Sequence, residues 1–197
     1  MLSTAVLIIG IDGWEKYTAP LIRQVQAYEP DACIVVIDNA SAEPYPAAPW
    51  IHRTPRLCYA AAINRAKRIA RDTDWTVVLS NDVRCKGPFS GILPYFEGAI
   101  CGPKIMENHG YEYLEGWCVA APRAAWQAIG GWDENFLFSS WEDVSFSVSA
   151  VEHGFRMERA PLPFDHLDQR QRFDLPGYAG TEAHNIAYMI EKHGAPK

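Results

Sequence analysis

The chain has no CxxC pair. Its five cysteines, Cys33, Cys58, Cys85, Cys101 and Cys118, are scattered and odd in number. That spacing excludes a zinc ribbon and a disulfide framework, and reduced thiols in a cytoplasmic protein are the simpler expectation. No apolar run reaches the roughly 18 residues of a membrane span. The N-terminus, Met-Leu-Ser-Thr-Ala-Val-Leu-Ile-Ile-Gly, lacks the basic start and cleavage site of a signal peptide and reads as a strand. A basic excess is missing as well: 18 Lys and Arg face 24 Asp and Glu, a formal net charge of −6. This disfavours a broad cationic face for nucleic acid, although a local groove lined by Arg53, Arg56, Arg170 and Arg172 stays open. No internal repeat or low-complexity segment stands out.

What is present fits one domain: 197 residues with 48% hydrophobic side chains. Residues 5–9 are a continuous, partly β-branched apolar run closed by Gly10; residues 32–37 are a second, ending in Asp38-Asn39-Ala40-Ser41. Both read as buried strands, with a helical pattern around Leu21, Ile22 and Val25 between them. Residues 41–55 carry four prolines and read as loop. Residues 59–71 read as a helix, with Ala62, Ile63, Ala66, Ile69 and Ala70 on one side and Arg65, Lys67, Arg68 and Arg71 largely elsewhere. Residues 75–79 form a third buried strand. Strand, helix, strand, helix, strand predicts parallel pairing with right-handed crossovers. In such an α/β sheet a ligand sits beyond the carboxyl ends of the strands, where Asp12, Asp38, Asn39 and Asp82 fall. The second half is less regular, with strands expected at 99–101, 117–121 and 155–160 and helices at 122–129, 142–153 and 183–193.

Three polar points stand out from this frame. Asp82 ends the step Ser80-Asn81-Asp82, and a carboxylate there suits Mg²⁺ or Mn²⁺, which take hard oxygen ligands and bridge to phosphates. The same position suits a turn-forming or capping Asp. His166 offers an imidazole acceptable to Mn²⁺, or is a hydrogen-bonded structural histidine. Glu142 and Asp143 open a helix, where acidic side chains favour the dipole. Adjacent residues do not share a helix face, so one can aim into a cleft as a general base while the other braces a loop. Arg170 and Arg172 either clamp diphosphate oxygens or are solvated, and Arg65, Arg68 and Arg71 read as a solvated face. Trp117 and Trp141 are the candidates for stacking on a sugar ring, whereas Trp126, at helical spacing from Ile129, reads as core.

Taken in order, these segments resemble the family 2 glycosyltransferases of the GT-A fold over roughly residues 4–170. Val6-Leu-Ile-Ile-Gly-Ile-Asp-Gly13 resembles the family's opening, with Gly10 and Gly13 in place of its usual Pro-x-x-Asn turn. Ile34-Val-Val-Ile-Asp-Asn-Ala-Ser41 is similar to the segment whose Asp contacts the nucleotide base, and Tyr59-Ala-Ala-Ala-Ile-Asn-Arg65 to a small-residue helix start that carries an Asn. Leu79-Ser-Asn-Asp82 resembles the metal-binding DxD-type site with only its last acid kept. The stretch from Glu115-Gly-Trp-Cys118 to Gly154 is the strongest match: a Gly-rich acceptor segment, a Gly-Gly-aromatic-Asp-Glu turn and the Glu-Asp motif. Ser145 and Val148 depart from the Asp and Arg that often follow. His166 matches the late metal-binding histidine, and the terminal helix resembles that of the rhamnosyltransferase-like branch.

The resemblance implies an α/β fold of the GT-A type, a Rossmann-like, mostly parallel central sheet flanked by helices. Residues 1–85 would form the nucleotide-sugar half and 86–175 the acceptor half of one domain, with a tail helix in 176–197. It implies an inverting transfer from a UDP-, dTDP- or GDP-sugar to a saccharide or glycolipid hydroxyl. Asp143 would be the base, and Asp82 and His166 would hold Mn²⁺ or Mg²⁺. Asp12, Asp38, Asn64, Asn81, Arg170 and Arg172 would bind the nucleotide sugar, and Trp117, Trp141 and Glu142 the acceptor. Two other readings remain open. One is a small transferase acting on a hydroxylated DNA base, which the acidic balance disfavours; the other is a degenerate nucleotide- or sugar-binding module without turnover. A sugar-phosphate nucleotidyltransferase would need a Gly-rich, Arg-containing first loop, which is absent.

Overall fold

The computed structural model describes residues 2–70, 72–167 and 180–196. β1 (Thr4–Gly10) leads through a π-helical turn at Trp14–Thr18 into α1 (Ala19–Tyr28), followed by β2 (Cys33–Asn39), β3 (Ile51–Thr54), α2 (Tyr59–Ile69), β4 (Trp75–Ser80) and β5 (Val83–Cys85). The second half runs β6 (Ala99–Gly102), β7 (Ile105–Asn108), β8 (Tyr111–Leu114), β9 (Cys118–Pro122), α3 (Arg123–Ile129), α4 (Glu142–Glu152), β10 (Arg156–Arg159), β11 (Phe164–His166) and α5 (Thr181–His193). Seven strands form one sheet in the order β10-β6-β9-β4-β1-β2-β3. β4, β1, β2 and β3 are parallel, β9 runs against both β4 and β6, and β10 is parallel to β6. The expected mostly parallel sheet flanked by helices is therefore present.

Strand periodicity explains the layering. Successive side chains of β1 point to opposite faces: Val6 and Ile8 pack with Leu21, Ile22 and Val25 of α1. Ala5, Leu7 and Ile9 pack with Ala60, Ile63 and Ala66 of α2 and, farther along that face, with Trp126 of α3 and Phe146 of α4. A strand covered on both faces needs an unbroken apolar run, which β1 and β2 have. Leu7, Ile8, Ile37 and Ile63 are fully buried, each stabilising the fold by about 1.5–3 kcal/mol.

Residues 41–55 are not all loop. β3 pairs in parallel with β2 at the sheet edge, Val36 opposite Ile51 and Asn39 opposite Thr54; the prolines bracket it, which an edge strand tolerates. β7 and β8 form a hairpin, and β5 pairs antiparallel with β11, setting His166 opposite Val83. Helix α5 is docked: Met189 and Asn185 are fully buried, and Met189 joins a cluster with Tyr111, Phe136, Trp141 and Val144. Among the described residues no helix is long and apolar enough to cross a membrane.

Candidate active site

Beyond the carboxyl ends of β1, β2 and β4 the polar side chains knit the loops together. Asp12, at φ 56°, turns the chain after β1. Its N–H donates to Ser41 Oγ at 2.8 Å and its Oδ1 accepts the Ala42 N–H at 2.7 Å. Its carbonyl accepts the Tyr45 hydroxyl at 2.7 Å and the Asn81 amide at 3.1 Å. Asn81 Nδ2 also lies 3.1 Å from Thr18 Oγ1 and 3.2 Å from the Tyr45 hydroxyl, and the residue is buried. Gly10 makes room for this crowd, since a Cβ there would stand 2.5 Å from the Tyr45 hydroxyl and 3.0 Å from Asn81 Cβ. Asp38 is 0% exposed. Its Oδ1 accepts the Ser41 N–H at 2.9 Å, and its Oδ2 accepts the Tyr45 N–H at 3.1 Å and faces the Arg53 guanidinium at 3.4 Å. A buried carboxylate is costly unless bonded, and loop 41–45 supplies the bonds. Asp38 thus shapes the loop, while Asp12 and Arg53 are exposed at its rim.

The second group lies at the ends of β4 and β11. Asp82 Oδ2 stands 3.2 Å from His166 Nε2, while Ser80 Oγ donates to Asp82 Oδ1 at 2.6 Å. The His166 ring stacks on Trp117, centroids 5.0 Å apart and planes 11° from parallel. The Trp117 indole N–H donates to Glu115 Oε2 at 2.9 Å, and Lys104 Nζ lies 3.5 Å from the same oxygen. Trp117 is therefore the wall that orients the imidazole. Among the described residues no set of three His, Cys, Asp or Glu side chains gathers around one point, and Asp82 and His166 are the two that meet here. The pair fits a metal ion. Two neighbouring ligands of an octahedral ion, each about 2.1 Å from it, stand about 3 Å apart, and a carboxylate with an imidazole is an acceptable set for Mn²⁺. His166 Nδ1 is buried with no partner among the described residues.

The third group opens α4. Asp143, half-buried, takes the Gly116 N–H on Oδ2 at 2.9 Å and the Val144 N–H on Oδ1 at 2.9 Å. The approach is close: a Cβ at Gly116 would stand 3.1 Å from the Asp143 side chain. The Gly116 carbonyl accepts the Tyr59 hydroxyl at 3.1 Å. Burial, and then the charges of Glu142, Asp82 and Asp143, push the Tyr59 phenol well above its ordinary range. Glu142 is buried and bonded to the Ser140 N–H; it braces the turn into α4.

Two expected contacts are used otherwise. Asn64 Nδ2 donates to Trp132 O at 2.7 Å and Glu134 Oε1 at 2.9 Å, while its Oδ1 accepts the Trp132 N–H at 2.9 Å; it pins the Gly131–Trp132 turn. Trp141, 3% exposed, packs edge-on to Tyr111 at 6.2 Å, so it offers no stacking face. Arg170 and Arg172 lie outside the described residues. Tyr59, Tyr45, Ser80 and Glu115 belong to the site framework without having been singled out for it. Tyr59, Ser80 and Glu115 each stand in a segment quoted for the family resemblance, and Tyr45 stands in none.

No protein-family model and no curated protein sequence matches the chain. Solved structures do. GalNAc-T7 with UDP, GalNAc and Mn²⁺ superposes with a TM-score of 0.79 at 13% identity, over 97% of this chain and 48% of that one. The mannosyltransferase PcManGT from Pyrobaculum calidifontis, in complex with GDP-Man and Mn²⁺, gives 0.66 at 13%, over 95% and 63%. TarS 1–349 of S. aureus gives 0.63 at 12%, over 95% and 70%. The chain thus spans about half the length of the first of these. The shared architecture is the GT-A fold.

Proposed function

We propose that this chain is a glycosyltransferase that moves a sugar from a nucleoside-diphosphate sugar to an acceptor hydroxyl with inversion at the anomeric carbon. The observation that carries the reading is the Asp82–His166 pair together with an Asp143 carboxylate aimed by the Gly116 and Val144 N–H groups, on a GT-A sheet. In this reading the donor lies over residues 1–85, with its nucleoside end against the loop that Asp12, Asp38 and Asn81 hold. Asp82 and His166 would hold a divalent ion, Mn²⁺ or Mg²⁺, which when bound offsets charge on the departing diphosphate. Neighbours of the same fold that carry Mn²⁺ with UDP or with GDP-Man support such an ion.

Asp143 takes the proton from the acceptor hydroxyl. The freed oxygen forms a bond to the anomeric carbon on the face opposite the nucleotide. The bond from that carbon to the diphosphate oxygen breaks, and its electron pair leaves with the diphosphate. The N–H groups of Gly116 and Val144 hold the carboxylate in place, so its aim costs little reorganisation at the moment of transfer. The acceptor is proposed to be a saccharide or glycolipid; the xylobiose complex of a Drosophila β1,4-galactosyltransferase 7 with the same fold supports a sugar.

The test is a thermal-shift screen against UDP, GDP and dTDP and their sugars, each with and without Mn²⁺. Binding to the folded state alone raises its stability, by about 2.7 kcal/mol at a hundredfold excess over Kd. A shift with one nucleotide that requires Mn²⁺ is the expected result; no shift with any nucleotide overturns the reading. Nuclear magnetic resonance of the product's anomeric proton then decides inversion.

A further inference from the structure

The segment just before the Glu142–Asp143 pair is strained. φ is 56° at Phe138, 146° at Ser140 and 73° at Trp141, a left-handed region that costs non-glycine residues of order 1–3 kcal/mol each and persists only where the surroundings over-determine it. Asn185 of α5 supplies that determination. It is 0% exposed and spends its amide on this loop. Its Oδ1 accepts the Leu137 N–H at 2.9 Å, and its Nδ2 donates to Leu137 O at 3.1 Å and Ser140 O at 3.0 Å.

The loop passes the constraint on in two directions. Phe138 O accepts the Tyr59 N–H at 2.7 Å, fixing the first residue of α2, whose hydroxyl holds Gly116 and through it Asp143. Trp141 O accepts the Ser145 N–H at 2.8 Å, starting α4 under Asp143 itself. α5 is tied at further points outside loop 137–141: Tyr188 donates to Asp133 Oδ2 at 2.9 Å, Lys192 Nζ reaches the same oxygen at 2.8 Å and Ser145 Oγ at 3.1 Å, and His193 Nε2 stands 2.9 Å from Ser145 Oγ.

We propose that Asn185 is a positioning residue for the transfer: by holding loop 137–141 in its strained form, it sets both the Tyr59 hydroxyl and the Asp143 carboxylate. The inference rests on the transferase reading above and adds to it a side chain from the C-terminal helix. An amide suits the position because the loop presents one N–H and two carbonyls; a carboxylate of the same size has no donor for the two carbonyls.

The experiment compares wild type, Asn185→Asp and Tyr188→Phe, the last removing the α5 hydroxyl that bonds Asp133 and Asn135 and leaving residues 137–145 their hydrogen bonds. In donor hydrolysis with Mn²⁺, Asn185→Asp is expected to lower kcat by about 10²-fold, the scale of an ångström of misplacement, at unchanged donor KM, while Tyr188→Phe keeps kcat. Hydrogen exchange of amides 137–145 is read on the same three proteins, and only Asn185→Asp should exchange faster. Equal kcat in Asn185→Asp and wild type, or an equal loss in Tyr188→Phe, overturns the proposal. Unchanged exchange in Asn185→Asp overturns it too. If wild type turns over no donor while the exchange difference appears, the transferase reading has failed and the loop-setting role stands. Should Asn185→Asp not fold, Asn185→Ser gives the same readouts.

Discussion

At the carboxyl end of β2, Asp38 is 0% exposed and gives both oxygens to Ser41, Tyr45 and Arg53. At the start of α4, Asp143 is half-buried, held by two backbone N–H groups on a strained approach. The first acid closes a loop inside the parallel half; the second is presented by the irregular half. The regular sheet builds a floor by spending its polar strand ends internally. The segments with short strands carry Asp143 and His166, two of the groups proposed to meet substrate or metal, as expected when a rigid scaffold positions its loops.

The sharpest way to break this comparison is Asp143→Asn. The change keeps shape and removes the proposed base, so kcat should fall about 10²–10⁴-fold while the nucleotide still stabilises the protein. If nucleotide binding disappears with turnover, Asp143 belongs to the floor and the contrast with Asp38 collapses. Asp82→Ala comes next. Wild type at a hundredfold ligand excess gains about 2.7 kcal/mol, and the variant should lose the Mn²⁺-dependent part of that gain. An identical melting shift with and without Mn²⁺ in wild type removes the metal role from Asp82 and His166. Asp38→Ala strands the buried N–H groups of Ser41 and Tyr45, at about 1–3 kcal/mol of stability by urea unfolding. A loss of turnover without loss of stability would move Asp38 into the chemistry.

The parts of this design visible in the sequence are those with long, uniform burial. β1, β2 and β4 show as apolar runs because both faces of each strand are covered. β3, β5, β7, β8 and β11 have three or four residues apiece, too few for a period to register. Asp82 and His166 stand out as residue types, yet their meeting depends on the β5–β11 pairing, which no local pattern encodes. Asn64 and Trp141 have the right chemistry for a site and are spent on a turn and a cluster. An amide matches an exposed backbone N–H and C=O as well as it matches a ligand. Helix α5 showed its apolar face but not its partner, so Asn185 read as part of a tail.

The smallest effect tests whether the two halves truly meet at Tyr59. At neutral pH, Tyr59→Phe loses the bond to the Gly116 carbonyl, about 1 kcal/mol. At alkaline pH the sign reverses. Burial, and then the neighbouring acids, lift the folded phenol well above 10.0, while the unfolded tyrosine ionises near that value. The folded state therefore binds the extra proton, and stability falls as pH rises above about 10. Tyr59→Phe removes one such group and should flatten the fall by up to about 1.4 kcal/mol per pH unit. Tyr45, Tyr111 and Tyr188, also raised by burial, keep part of the slope. Urea midpoints for both proteins at neutral and alkaline pH measure the difference. Parallel curves would mean that the Tyr59 hydroxyl is solvated and that its bond to the Gly116 carbonyl does not join α2 to the segment that holds Asp143.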